Sequence, residues 1–376
     1  MQRRMFLQAG LAATAWAARK YRAAIIGHTG RGDYGHDWDT AFSRFDSIEV
    51  VAVADPGDGG RAKAQKRSRA LRGYRDYSAM LRQERPELCA ICPRWLDQRR
   101  EMFLAAAEAG AHILMEKPFA RDLADADAMV AAAERHRLKV QVGHTARLAP
   151  VTLRALEMVR AGEIGLLLEM RARGKEDHRA GGEDLMVLGT HCFDLMRLFS
   201  GDPRWVFGHV SPATPRRPTE PIGPVAGDEI AAVFFFDGGV HGYFGSKASG
   251  QRDGRRFGLT LYGSQGAIFI PLTAVPSAPP LLLRSSDWTA NRETGYWQAI
   301  EAAGEPLRTR EDANAVMVRD LLQAIEQGRE PACNARDARW TIEMVIGIYQ
   351  SQQAGARVAF PLKERRHPLS ARRSPP

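Results

Sequence analysis

Short apolar or β-branched runs, spaced by helix-length stretches, constrain the first 146 residues more than any other feature. Tyr21-Arg-Ala-Ala-Ile-Ile26 leads directly into Gly27-His-Thr-Gly-Arg-Gly-Asp-Tyr-Gly35 and then into a helix-compatible stretch through Phe45. Ile48-Glu-Val-Val-Ala-Val-Ala54, Pro86–Cys92, His112–Met115 and Lys139–Val142 repeat the strand pattern, and Gln98–Ala109 and Met129–His136 read as helices. Parallel strands need a crossover of helix length, so this alternation predicts an α/β fold with a doubly wound parallel sheet. After Val142 the period changes. A helix is expected over about 150–161 and a strand over Leu166–Ala172; turn-bounded strands follow at Ile230–Phe236, Val240–Gly245 and Phe257–Tyr262. Turns such as Asp237-Gly-Gly239 between them predict a mainly antiparallel sheet in a second, α+β domain. The expected division is 20–146 for the first domain and 147–362 for the second.

A chain of 376 residues can bury two such cores, and 44% hydrophobic with 26% charged residues excludes a disordered or fibrous chain. The net charge of +9 invites a nucleic-acid reading, but much of it sits at the ends. Arg3 and Arg4 stand among residues 1–17 without an acid, and 363–376 holds Lys363, Arg365, Arg366, Arg372 and Arg373 against Glu364 alone. A solvated basic tail over 363–376 is expected, and no nucleic-acid partner. Cys89, Cys92, Cys192 and Cys333 are too scattered for a disulfide framework, and the Cys89/Cys92 pair lies in an apolar run that reads as buried strand. No metal site is expected.

Arg3-Arg4 precede an alanine-rich apolar stretch ending Ala15-Trp16-Ala17, the pattern of a twin-arginine export signal over 1–17. It is too short to span a bilayer, and no other segment approaches a spanning length. The expected location is periplasmic or otherwise exported, and cytoplasmic if that pattern is only a frayed basic end.

Strand, glycine turn, helix is the context of a dinucleotide fingerprint. Gly30, Gly32 and Gly35 match G-x-G-x-x-G literally, whereas the register set by the strand end uses Gly27 and Gly32 with Thr29 between them. The second register is preferred because the pyrophosphate belongs at the carboxyl edge of the sheet. Gly27, His28, Thr29, Gly30, Arg31 and Gly32 are then the cofactor turn. Asp55 ends the next strand, where a carboxylate can bond both ribose hydroxyls and repel a 2′-phosphate, which favours NAD over NADP.

Ala109-Gly-Ala-His-Ile-Leu-Met-Glu-Lys-Pro118 resembles the glutamate-lysine-proline signature of the Gfo/Idh/MocA oxidoreductases. The similarity extends over the glycine turn, Val53-Ala-Asp-Pro56, the strand-end Pro93, and Ile342–Val345 through Val358–Leu362. The resemblance implies nicotinamide-dependent chemistry on a sugar or polyol, with Pro93, Glu116 and Lys117 at the cofactor, and an oligomer built through the second domain. Gly181-Gly-Glu-Asp-Leu-Met-Val-Leu-Gly-Thr-His191-Cys-Phe-Asp194 resembles the family's catalytic helix, with His191 at the histidine position and Asp184 and Leu188 on the same helical face. Hydride transfer from a carbinol needs a base for the hydroxyl proton and a cation beside the developing alkoxide, tasks suited to Lys117 and His191. Arg147, Lys175, His178, Asp184 and His191 are the expected substrate contacts.

One departure stands out. Where many family members have an aspartate four residues before the histidine, this chain has Val187, so Asp184 or an acid of Lys175-Glu-Asp-His178 would have to substitute. Three functions follow: net oxidation of a secondary hydroxyl, redox-neutral glycoside cleavage or elimination on tightly bound NAD, and non-catalytic NAD and sugar binding.

Overall fold

The computed structural model describes residues 20–248, 256–272, 278–301 and 307–370. The export pattern of residues 1–17 therefore lies outside the described residues.

The N-terminal domain contains β1 (Tyr21–Ile26), β2 (Ile48–Ala54), α1 (Asp58–Ser68), β3 (Arg72–Tyr74), α2 (Tyr77–Glu84), β4 (Leu88–Ile91), α3 (Arg99–Glu108), β5 (His112–Met115), α4 (Leu123–Arg135) and β6 (Val140–Val142). Its six strands are all parallel, in the order β3-β2-β1-β4-β5-β6. The order reverses between β1 and β4, which opens a crevice at their carboxyl ends where such sheets bind ligands. Ile25, Val53, Ala90 and Leu114 are fully buried, as expected of strands covered on both faces. Cys89 and Cys92 are buried free thiols, as their apolar run implied.

The expected helix after the glycine turn does not form. Trp38–Thr40 and Phe42–Arg44 make two short 3-10 turns instead. Gly30, Gly32, Gly35, Asp33 and Asp37 all have positive φ, so the chain coils through left-handed conformations that end a helix before it starts. Gly32 has a second reason to lack a side chain, since a Cβ there would lie 2.4 Å from the Arg94 backbone nitrogen.

The second domain comprises α5 (Pro150–Arg160), β7 (Leu167–Arg173), α6 (Gly182–Val187), α7 (Gly189–Ser200), β8 (Trp205–Ser211), the small ribbon β9 (Pro215–Arg216) and β10 (Val225–Ala226), β11 (Glu229–Phe235), β12 (His241–Lys247), β13 (Gly258–Gly263), β14 (Ala267–Pro271), β15 (Leu281–Leu283), β16 (Gln298–Ala299), α8 (Arg310–Gln327), α9 (Ala335–Ala354) and β17 (Val358–Ala359). A nine-stranded sheet runs β16-β15-β14-β13-β7-β12-β11-β8-β17, antiparallel except where β12 meets β7. The chain then returns to the first domain. The Val142 amide donates to Cys333 O at 2.9 Å, and Gln141 reaches Asp320 on α8 at 3.1 Å. A capping box at Thr309 and Asp312 fixes the start of α8, so the Arg310 and Asn314 that follow are held in place.

Residues 363–370 are docked rather than a free tail. Arg365 grips Asp127 at 2.7 and 2.6 Å through Nη2, and His367 is buried beside Tyr349. Among the described residues no helix is long and apolar enough to cross a membrane.

Arg147 joins the domains from within. It follows β6 in a 3-10 turn and bonds Asp194 on α7 through Nε at 3.0 and 2.9 Å and Nη2 at 2.8 Å, with both residues buried. Replacing Arg147 with alanine leaves a buried carboxylate unpaired, which costs about 3–5 kcal/mol. The expected outcome is a clear fall in the thermal midpoint of R147A; an unchanged midpoint in calorimetry would contradict this role.

Candidate active site

β5 runs straight into Glu116-Lys117-Pro118, and the site is built outward from Glu116. Its buried carboxylate pairs with His36 Nδ1 and accepts from Trp38 Nε1 at 3.2 Å and the Lys117 amide at 2.9 Å. Burial opposes its ionisation, but His36, Lys117 and Arg99 win and bring its pKa down to about 2. Arg99, buried at the start of α3, donates to the carbonyls of Glu116 and Pro93 and to Pro118 O at 2.8 Å. This clamp fixes the backbone on both sides of Lys117.

The Lys117 side chain is buried, and its Nζ donates to the Val187 carbonyl at 3.2 Å. Burial lowers its pKa to about 8, helped by Arg179 and Arg94 and opposed by Glu116 and Glu220. His191 lies in the first turn of α7. Burial first, then Lys117, His144, His36 and Arg179, hold its pKa well below the usual value, so the imidazole is neutral. Among the described residues its Nδ1 has no hydrogen-bond partner, and the His144 ring stands edge-on to it at 5.2 Å.

Lys117 and His191 line one cavity of about 250 Å³, together with His36, Trp38, Lys175, Arg179, Arg310 and Asn314 and an apolar wall that includes Leu188 and Phe257. Its floor is the carboxyl edge of β5 and β6, where Gly143 follows the last strand.

Several sequence candidates take other roles. Asp184 is not a partner of His191. The expected single helix breaks at Leu188 (φ −107°) into α6 and α7, and the Asp184 carboxylate accepts from the Lys175 and Glu176 amides at 3.2 and 3.1 Å and from Ser246 Oγ at 2.6 Å. Arg147 is committed to Asp194, and His178 is 60% exposed, outside the cavity lining. Lys175 does line the cavity. Pro93 contributes its carbonyl to Arg99. His144, Asp194 and Cys333 cluster within 4.8 Å, but Arg147 covers both Asp194 oxygens, which is not the donor set of a cation site.

Asp55 also differs from expectation. Its carboxylate is fully buried and accepts from the Thr29 amide at 3.1 Å, Thr29 Oγ1 at 2.7 Å, Tyr34 Oη at 2.8 Å and the Gly57 amide at 2.8 Å. The Tyr34 ring lies directly on Gly27, where a Cβ would fall 2.1 Å from it. Burial and Asp55 raise the Tyr34 pKa, so the phenol stays a donor. His28 and Arg31 remain on the turn, with Arg31 bridged to Asp97. The reacting end therefore fits a nicotinamide beside Lys117 and His191. At the adenosine end the Tyr34 ring covers Gly27 and, with Thr29 and Gly57, occupies the Asp55 carboxylate, so a nucleotide reaches Asp55 only if these contacts open.

His36, Trp38, Arg99, Arg179, Arg310 and Asn314 were not among the sequence candidates. Only Arg99 left a usable signal, an arginine heading the apolar stretch Met102-Phe-Leu-Ala-Ala-Ala107.

A reversed parallel sheet, a glycine turn and a lysine–histidine cavity beneath a second sheet define a two-domain dinucleotide-dependent oxidoreductase. Residues 21–144 match the model of the oxidoreductase family with an NAD-binding Rossmann fold, and residues 152–269 match the GFO/IDH/MocA C-terminal domain. The chain belongs to the Gfo/Idh/MocA oxidoreductases and carries their NAD-binding domain. It is 26% identical to the D-apiose dehydrogenase of Paraburkholderia graminis over 93% of this chain and 92% of that one. It is 28% identical to the levoglucosan dehydrogenase of Pseudarthrobacter phenanthrenivorans over 45% of this chain and 51% of the relative. A levoglucosan dehydrogenase solved with NADH and levoglucosan superposes with a TM-score of 0.76 at 19% identity, covering 92% of this chain and 100% of that one.

The Tyr34 contact gives a direct test. Tyr34→Phe removes a hydrogen bond to a carboxylate, worth about 1.5–3 kcal/mol, and so eases the opening that exposes Asp55. NAD affinity by titration calorimetry is expected to rise about tenfold; an unchanged or weaker affinity would show that Tyr34 does not hold this end shut.

Proposed function

We propose that the protein oxidises a secondary hydroxyl of a sugar, cyclitol or derivative, with Lys117 taking the hydroxyl proton. The observation that carries this reading is the placement of a buried Lys117, lowered to about 8, with a neutral His191 in one cavity at the carboxyl edge of the parallel sheet. A base works best with a pKa near the operating pH, which favours Lys117 over a histidine held far below it. Neutral His191 offers one N–H to the substrate oxygen as charge develops there. NAD, when bound, supplies the hydride acceptor. The glycine turn and Asp55 would hold it, and Glu116 fixes the lysine beside it.

Lys117→Met is expected to lower kcat/KM by about 10²–10⁴ while NAD still binds. In the native protein kcat/KM should rise through about pH 8 and level off, because the neutral amine is the active form. A pH profile flat from 6 to 10, or a K117M variant as active as the parent, would reject the role.

A second reading is redox-neutral cleavage or elimination on NAD that stays bound. The twin-arginine pattern supports it, for an exported oxidoreductase has no nicotinamide pool to draw on. Protein recovered from a periplasmic fraction is then expected to release stoichiometric NAD on denaturation; chain retained in the cytoplasm and free of nucleotide would remove this support. The open sheet face, with Phe207 and Tyr243 exposed, supports association of two copies, which light scattering of the purified protein reads directly.

A further inference from the structure

We infer that the substrate carries an anionic group, a carboxylate or phosphate ester on the sugar or polyol, received by Lys175 and Arg179. This rests on the oxidoreductase reading and narrows its substrate class.

The described lining of the cavity holds Lys117, Lys175, Arg179 and Arg310, with His36 and His191, and not one carboxylate. Acids stand behind this wall but not on it. Glu116 lies behind Lys117 and His36, and Asp37 and Asp39 hold Arg310 and Arg67. Asp177 pairs with both Lys175, at 3.5 Å, and Arg179, and the Asp184 and Glu220 charges add to the field at Arg179. Glu220 sits in a small recess behind Lys117, where Arg94 bridges it at 2.9 Å. The surface that faces the cavity is therefore cationic, a surplus of positive groups in the lining itself.

The surplus is not explained by the dinucleotide. A pyrophosphate belongs at the glycine turn after β1. Arg310, paired to Asp37 on that side, is left out of the inference for this reason. Lys175 and Arg179 come instead from the loop between β7 and α6, in the second domain, where a substrate rather than a cofactor is held. Arg179 is only 20% exposed and Lys175 40% exposed, so their charges act across a partly desolvated space. A neutral alcohol would leave that field unused, while an anion would be drawn in by it. The lining also includes apolar Val151, Phe257 and Leu272, which suit the C–H face of a sugar ring.

The test uses the full chain with NAD and titration calorimetry of D-glucuronate, D-glucose 6-phosphate and D-glucose, probes that differ at one carbon. At least one anion should bind about tenfold more tightly than glucose, the ratio a single charge-assisted hydrogen bond supplies. The stronger of the two anions identifies carboxylate or phosphate. Lys175→Glu should weaken that anion about tenfold more than it weakens glucose, and added salt should weaken the anion selectively. Arg179→Gln is the second variant, with its fold checked by circular dichroism, and should act in the same direction. Equal binding of all three sugars, or equal losses for charged and neutral sugars in K175E, would overturn the inference. Absorbance at 340 nm is followed separately. Anion binding that depends on Lys175 without NADH formation would refute the oxidation reading and leave this one standing, whereas NADH formed equally well from glucose would do the reverse.

Discussion

A carboxylate taken out of water is costly unless its neighbours replace the lost hydration, and Glu116 is where this protein meets that cost. His36, Trp38 and the Lys117 amide converge on its oxygens, and Arg99 takes up the carbonyls on either side. The partners come from the end of the glycine turn, from the first 3-10 turn and from α3. Glu116 and its flanking carbonyls therefore tie two separate segments, residues 36–38 and α3, to the tip of β5. Without a helix after β1 to stiffen the turn, this network fixes the path of residues 36–38. It also sets the Lys117 backbone, so that a four-carbon side chain can reach the Val187 carbonyl across the domain boundary.

The strands of the parallel sheet were legible because burial on both faces demands continuous apolar runs, and β1, β2 and β5 fall where those runs fall. The first crossover was not. Trp38 and Phe42 are four residues apart and mimic a helical face, yet each packs from its own 3-10 turn. The signal against a helix was present in Gly30, Gly32 and Gly35, but Asp33 and Asp37 also adopt positive φ, which composition does not announce. The short β3 has a mixed, exposed Arg72-Gly-Tyr74 sequence and no period to read.

At the site, Lys117 and His191 were legible through their motifs, and the rest of the wall was not. Arg179, Arg310 and Asn314 are brought in by elements distant in the chain, and only the packing of α8 against β6 and the loop after β7 sets them together. Asp184 shows the opposite failure. A helical wheel aligns it with His191, but the break at Leu188 removes the wheel, and three donors from the β7 loop and from Ser246 claim the carboxylate. Periodicity cannot register hydrogen bonds made eight or nine residues back along the chain.

Val187 gains its meaning from this geometry. A carboxylate four residues before the histidine would set a full negative charge beside the lysine and raise its pKa. Here the neighbour is the Val187 backbone carbonyl, a neutral acceptor at 3.2 Å, while Arg179 and Arg94 add positive potential. Burial then prevails, and Lys117 can lose its proton close to neutral pH. Burial first, and then the positive groups Lys117 and Arg179, keep His191 uncharged. On the proposed reading, a valine at this position directs the proton-accepting role to the lysine: an acid beside His191 would stabilise an imidazolium and make that ring the better base, whereas in its absence the buried amine is the group whose two protonation states lie within reach of the reaction.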